Sequence, residues 1–464
     1  MQATTPKTTR NPARSNAGRI AFASLLLLGF ATATRAAESA GIGVEVGVGA
    51  SDNIGLAPTN PQTEVIAETG VDFALHRNNT RLNADVVGDF AYLDYLRHTY
   101  GSQLLGRFDG TGVFAIIPER LTWTLQDAYG QAQTDPFAPV TPINLQNINF
   151  LTTGPDLMLH LDPVDFIDLS ARYERATYSV SPYDSNGVVG AIALGRQLAA
   201  RVKASINVKY EHLKFEERTN ADINRTSLYG RYEAQLVRTD LTAELGATRL
   251  TGQAGPGTSA LADLNASRKL SPSLELTLSL VHELTDTGDS FGNFRAGAVG
   301  GIPVTSTGQS VGLGAFGAAG GIPVAPTVQT AGTYTTNAAD GGLRFERHRT
   351  SITVTGRYER DTYDQQSQLD VKRVGAEVRI QRRFTPHLSA LVYASYYRTN
   401  YLYFDFLSND RLYGGSLTWR LGRDFDLSLR YDRTQRGAEG IGTGYHENRG
   451  LLTLGYRPPV WQRK

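Results

Sequence analysis

The sequence predicts an all-β protein: a single transmembrane antiparallel up-and-down β-barrel of about 20 strands (about 18 to 22), preceded by a cleaved signal peptide. Three observations carry that expectation. Apolar and polar residues alternate with a period of two along most of the chain, the alternating runs are long, and the connections between them are short and long in turn.

Composition narrows the class first. The 464 residues carry a formal net charge of +1, with 41% hydrophobic residues, 48 Gly and 22 Tyr, and no strong charge imbalance points to nucleic acid. The absence of cysteine removes disulfides, thiolate metal sites and a cysteine nucleophile together. At the N-terminus Lys7, Arg10, Arg14 and Arg19 precede an apolar run from Ile20 to Phe30, followed by small residues. The run is shorter than the roughly 20 residues that a spanning helix needs, so a signal peptide is expected over residues 1–36, cleaved after Ala36 or after Ala33. The expected division is then signal peptide 1–36, barrel 37–457 and a short tail 458–464.

The first mature segment, GIGVEVGVGA, puts Ile42, Val44, Val46 and Val48 on one side and Gly43, Glu45, Gly47 and Gly49 on the other. That is strand periodicity. RLNADVVGDFAYL sets Leu82, Ala84, Val86, Phe90 and Tyr92 against Asn83, Asp85 and Asp89. ARVKASINVKY and SLELTLSLVHE repeat the pattern, as do TSITVTGRYER and FDLSLRYDR. Many runs reach about 10 to 15 residues, beyond the usual strand mode of roughly five or six.

A soluble sandwich also alternates, so the connections must decide. Short ones fall at HRNNT (from 76), PER (118), DPVD (162), VRTD (237), LSPS (270), RHRT (347), FTPH (384) and LGRD (421). Longer links fall near 52–62, 134–149, 179–186, 251–258 and 286–336. Short turns on one rim and long loops on the other are the pattern of a membrane barrel, and closure supplies every backbone N–H and C=O in hydrocarbon with a partner.

A recurring motif fixes the register. RYER stands at 172–175 and 357–360, RYDR at 430–433, with KYEH at 209 and RYEA at 231. Tyr173, Tyr210, Tyr232, Tyr358 and Tyr431 are expected on the lipid face as an aromatic girdle, with Tyr173, Tyr358 and Tyr431 toward the outer end. Their neighbours Arg172 and Glu174, Arg231 and Glu233, Arg357 and Glu359, Arg430 and Asp432 then face the lumen. Arg175, Arg360 and Arg433 share the tyrosine face further out, at headgroup level.

Further lumen-facing charges are expected at Glu64, Glu68, Asp72, Asp85 and Asp89 on early strands, and at Arg225, Arg373 and Arg379 on later ones. Two readings are open: facing acidic and basic walls that favour polar or zwitterionic solutes, or an internal salt-bridge network that stabilises the wall. The long link repeats GGIPV at Gly300–Val304 and Gly320–Val324. It reads as a surface loop that tolerated a duplication, or as a constriction folded inward. The eight histidines are scattered without metal-type spacing, so neither an enzyme nor a cofactor is expected. Aromatics such as Tyr393, Tyr396, Tyr397, Tyr401, Tyr403 and Phe404 suit either sugar stacking or a girdle.

Ser51-Asp52-Asn53-Ile54, WTLQDAYGQ at 123–131 with DPF at 135–137, NINFLTTGP at 147–155 and the RYER strands together resemble the Gram-negative outer-membrane family of putative β-barrel porins, including those associated with exopolysaccharide and exosortase systems. The resemblance implies an outer-membrane location and a channel or export-associated role. The implied partners are outer-membrane lipid and lipopolysaccharide, the barrel assembly machinery, and polysaccharide or small polar solutes. One departure is the end: GLLTLGY stops at Tyr456 and RPPVWQRK follows, with Pro458 and Pro459 expected beyond the sheet.

Overall fold

The structure is a computed structural model that describes residues 39–216, 222–252, 257–288, 324–325, 332–440, 442–458 and 461–462. The expected signal peptide and most of the link between 286 and 336, its duplication up to residue 323 included, lie outside these residues.

Among the described residues, twenty long strands close into one antiparallel barrel. They are β1 (Ser39–Ser51), β2 (Glu64–Asn78), β3 (Leu82–Tyr95), β4 (Gln103–Ile117), β5 (Leu121–Gln133), β6 (Leu145–His160), β7 (Asp165–Tyr178), β8 (Ser185–Ala199), β9 (Val202–Phe215) and β10 (Ile223–Gln235). The second half comprises β11 (Thr239–Gly252), β12 (Gly257–Ser271), β13 (Leu274–Asp286), β14 (Thr333–Arg347), β15 (Thr350–Tyr363), β16 (Val371–Arg383), β17 (Leu388–Tyr401), β18 (Phe406–Leu421), β19 (Phe425–Gly440) and β20 (Tyr445–Tyr456). Each pairs with its neighbour in sequence, and β1 closes on β20 from Val44↔Tyr456 to Ser51↔Arg449. Strands of 12 to 16 residues are about 45 Å long. Tilted by about 40° they span more than the hydrocarbon core of a bilayer.

Turns of two to four residues join each even strand to the next odd one, and links of four residues or more cross the other rim. The turn at residues 200–201 was not among those read from sequence. The link expected at 134–149 ends at Asn144, since β6 begins at Leu145. The tail also differs from expectation: after Pro458 the chain returns to the sheet, and Trp461 and Gln462 pair with Ala40 and Ser39.

The two faces of the wall follow the period of two. Ile206, Leu228, Leu245, Val392 and Leu429 stand outward and more than half exposed. Glu45, Glu68, Asp89, Glu211, Arg225, Glu359 and Arg430 point inward and are buried. An exposed apolar band of this extent suits hydrocarbon and not water. There is no single apolar core. Buried apolar side chains instead form separate clusters, two of them on the lumen side of the long-loop rim: Ile54, Ile66, Leu93, Tyr95 and Leu105 near β1–β4, and Tyr334, Tyr363, Val371, Tyr401 and Phe406 near β14–β18.

Candidate functional site

The lumen wall is polar because every second position points inward, and the structure puts all the sequence-selected charges on that side. Cross-strand register shows it directly: Asp72 stands opposite Asp89, Glu68 opposite Leu93, and His76 opposite Asp85. Arg357 stands opposite Asp340, Glu359 opposite Arg373, and Arg231 opposite Glu244.

Most of these charges are neutralised locally. In RYEA, RYER and RYDR the cation and anion two residues apart share the inner face and pair with each other: Arg231 with Glu233 at 2.6 Å, Arg430 with Asp432 at 2.8 Å, and Arg357 with Glu359. Lys209 and Glu211 do the same at 3.3 Å. Arg172 turns instead to Asp156 at 2.5 Å on β6, while Glu174 lines a cavity of about 260 Å³ with Lys209, Glu211, Arg225 and Glu244. Arg373 bridges Glu359 and Asp361, Arg379 holds Glu377 at 3.1 Å, and Arg225 joins Glu211 to Asp286. Facing acidic and basic walls are therefore not what the side chains form. Near neighbours supply most of the counter-charge, two residues along the same strand or one strand across, and Arg225 reaches further, to Asp286 on β13.

Early strands keep the largest share of acid. Glu68 is buried with Oε1 lacking a hydrogen-bond partner, and Asp89, opposite Asp72, is buried on β3. Asp85 pairs with His76 at 2.5 Å near the short-turn rim. Glu64 is an anchor and not a free lumen charge: its carboxylate accepts the backbone N–H groups of Arg97 at 2.8 Å and Thr99 at 3.1 Å, tying down the β3–β4 link. Asp72 belongs to a cluster that sequence reasoning missed. Arg457, just past the last strand, reaches Asp72 at 3.1 Å, Glu45 at 3.3 Å and Asp426 at 2.5 Å, so one guanidinium joins β2, β1 and β19 across the barrel seam. Gly43 leaves the space, since a Cβ there would come within 2.5 Å of Asp72 Oδ1 and 2.9 Å of Arg457 Cγ.

The five selected tyrosines stand on the outer surface, 38–52% exposed. Four outward-running strands repeat one device, a tyrosine hydroxyl donating to an asparagine on the next strand: Tyr173 to Asn186 at 2.6 Å, Tyr210 to Asn224 at 3.0 Å, Tyr396 to Asn409 at 2.8 Å and Tyr431 to Asn448 at 2.7 Å. Tyr358 has Lys372 over its ring at 5.5 Å. Tyr232 departs from this ring. It lies near the end of β10, toward the short-turn rim, because that strand runs in the opposite direction.

Two links shape the mouth. Asn53 exchanges hydrogen bonds with Ala57 and donates to the His446 carbonyl at 2.9 Å, which brings Ile54 into the lumen-side cluster of β2–β4. Asp52 accepts from the Asn448 backbone and side chain at 2.7 and 2.6 Å, and Ser51 donates to Glu447 at 2.5 Å. SDNI thus clasps the long-loop end of the seam, opposite Arg457.

The second link, 134–144, crosses the mouth. Asn144 organises it: its amide donates to the Asp135 carbonyl at 2.8 Å and the Pro139 carbonyl at 3.0 Å, and its oxygen accepts the Asp135 N–H at 2.7 Å. Phe137 then lies against Tyr401, Phe404 and Phe406, with ring centroids 4.6, 4.9 and 5.5 Å apart. Tyr401 and Phe406 face inward on β17 and β18, and β18 is seven strand-to-strand steps from β5 round the closed wall. Residues 134–144 are therefore a strap over the lumen, pinned at its far end by one aromatic ring. Phe137 stood in the sequence only as part of DPF, and no periodicity marks where a loop residue docks.

No family model matches the sequence, and no curated protein matches it. Solved structures similar to this chain include a mutant of the ferric enterobactin receptor PfeA from Pseudomonas aeruginosa (10% identity, TM-score 0.44, covering 91% of this chain and 80% of that one). The FrpB iron transporter from Neisseria meningitidis is another, at 10% identity and TM-score 0.45, covering 90% of this chain and 81% of that one. OccK2 (OpdF) from Pseudomonas aeruginosa, in complex with glucuronate, has 9% identity and TM-score 0.37, with 90% and 98% covered. At TM-scores below 0.5 such likeness says nothing of what this chain carries.

Proposed function

We propose that this chain spans the outer membrane of a Gram-negative bacterium as a channel for small polar solutes, with a mouth narrowed by the strap 134–144. Residues 1–36 serve as its export signal, the barrel assembly machinery inserts it, and residues 37–457 form the barrel. The exposed apolar face supports the membrane reading, and the inner face of ion pairs supports water inside. A wall of sixteen to eighteen strands already leaves an aqueous channel, and this one has twenty. Locally paired charges give short-range dipoles along the path, which favour polar and zwitterionic solutes over apolar ones.

Phe137 on the opposite wall is the observation that carries the narrowed mouth. Replacing it with Ala removes the aromatic pin and frees the strap. In planar bilayers Phe137→Ala should conduct at least about twice as well as the parent, because a freed loop widens the narrowest section. Heat-modifiable, folded protein that passes no current in either form contradicts the channel and supports a closed, salt-bridged wall with a structural or surface-assembly role.

A second reading, association with exopolysaccharide export, rests on Tyr397, which faces the lumen with 37% of its surface exposed. A ring in that position can stack on a sugar. Liposome swelling with sugars of graded size separates the two, since a solute channel cuts off at small oligosaccharides. We propose no enzymatic role for the chain.

A further inference from the structure

We infer that the outer surface of β15–β19 holds the phosphate groups of an acylated glycolipid of the outer leaflet. The inference rests on the membrane reading above and adds to it a particular site.

Five cations stand exposed on the half of this face toward the long-loop rim, one on each of five successive strands: Arg360, Lys372, Arg398, Arg411 and Arg433; Arg382 lies at its other end. Four follow a single rule. Arg360, Arg398, Arg411 and Arg433 each lie two residues from an outward tyrosine (Tyr358, Tyr396, Tyr413 and Tyr431), always on the side of the long-loop rim. The face therefore reads apolar, then tyrosine, then cation, in the order of acyl chain, interface and headgroup. Lys372 lies directly opposite Arg360. Like charges in that relation destabilise a sheet, and here both stand on the outer face.

The contrast with the lumen is direct. Inward arginines on the same strands are paired with carboxylates: Arg357, Arg373, Arg379, Arg430 and Arg436. Arg360, Arg398 and Arg411 have no ion-pair partner among the described residues. The outward positions of β15–β18 contain no Asp or Glu at all, and on β19 the one acid is Glu439, close to the strand's tip. A second copy of this chain docked by the same face would set cations against cations. Phosphate esters satisfy the site: guanidinium groups take their oxygens in pairs, and the acyl chains lie on Val354, Val374, Val392, Leu417 and Leu429 below.

The test is native mass spectrometry of the full chain, refolded and shown to be heat-modifiable, with diphosphoryl lipid A, the same lipid after dephosphorylation, and inorganic phosphate as probes. The parent should retain the diphosphoryl lipid and bind the dephosphorylated form and free phosphate far more weakly. R360Q/K372Q/R398Q/R411Q/R433Q should lose affinity by about a hundredfold or more, given the contribution of each basic residue near an anionic surface. R398Q/R411Q gives a smaller loss in the same direction, and serves if the fivefold variant does not fold. K214Q/R249Q, on the outer face of other strands, should bind as the parent does. Equal binding of phosphorylated and dephosphorylated lipid, unchanged binding by both patch variants, or a dimer closed through this face overturns the site. Failure of the parent to insert into vesicles overturns the membrane reading as well, so the two failures are distinguishable.

Discussion

Arg457 carries more of the wall's electrostatics than any side chain near it. Three carboxylates from three strands converge on its guanidinium, and each depends on it for counter-charge. Removing one member of a buried charge cluster leaves the others desolvated and unpaired, which costs about 3–5 kcal/mol. Arg457 is 19% exposed, so Arg457→Gln is expected at the lower end of that range, near 3 kcal/mol, read as a lower urea midpoint for unfolding from vesicles. A midpoint unchanged from the parent contradicts the stapling role. The tyrosine motif is explained at the same scale. Residues i and i+2 of a strand share a face, so Arg-Tyr-Glu places an ion pair inside and the ring outside with one local pattern. The pairing of Arg231 with Glu233 and of Arg430 with Asp432 shows both halves of that arrangement.

Strands keep their register because a shift by one residue would turn every charge toward lipid. Leu429→Arg puts a cation at mid-height on the outer face of β19 and should cost about 2–4 kcal/mol, whereas Ser428→Arg, facing the lumen, should cost less than about 1 kcal/mol. The pair of unfolding midpoints checks this, and equal costs contradict the assignment of faces. Strands were legible in the sequence for the same reason: alternation is a local signal, and the penalty for breaking it is large. TSITVTGRYER (350–360) lies wholly within β15, and FDLSLRYDR (425–433) wholly within β19. Loops were less legible. A polar link obeys no period, so Phe137 on β17 and β18, or Asn53 over β20, becomes visible only when the wall is closed. Arg457 was hidden because it follows the last periodic residue, and the pairing of Trp461 with Ala40 because two prolines stand before it. The charges were legible as inward-facing but not as partners, since cross-strand neighbours depend on register between strands distant in sequence.

On the proposed reading the whole molecule is a closed wall with two solvents. Its seam, β20 on β1, is held at the long-loop end by Asp52 and Asn448 and at the short-turn end by Arg457, so that the one contact made between chain ends is reinforced at both rims. On that reading closure pairs the membrane-spanning strands on both sides, apolar residues meet hydrocarbon and ion pairs meet water. The most direct test is a tryptophan scan along β19 from Leu427 to Asp432, one position at a time, with Trp123, Trp419 and Trp461 replaced, in vesicles containing brominated lipid. Positions 427, 429 and 431 should be quenched by the bromolipid and shielded from iodide, and positions 428, 430 and 432 should show the reverse. Quenching without alternation, or a folded protein that none of the bromolipid reaches, contradicts a membrane barrel with an aqueous lumen.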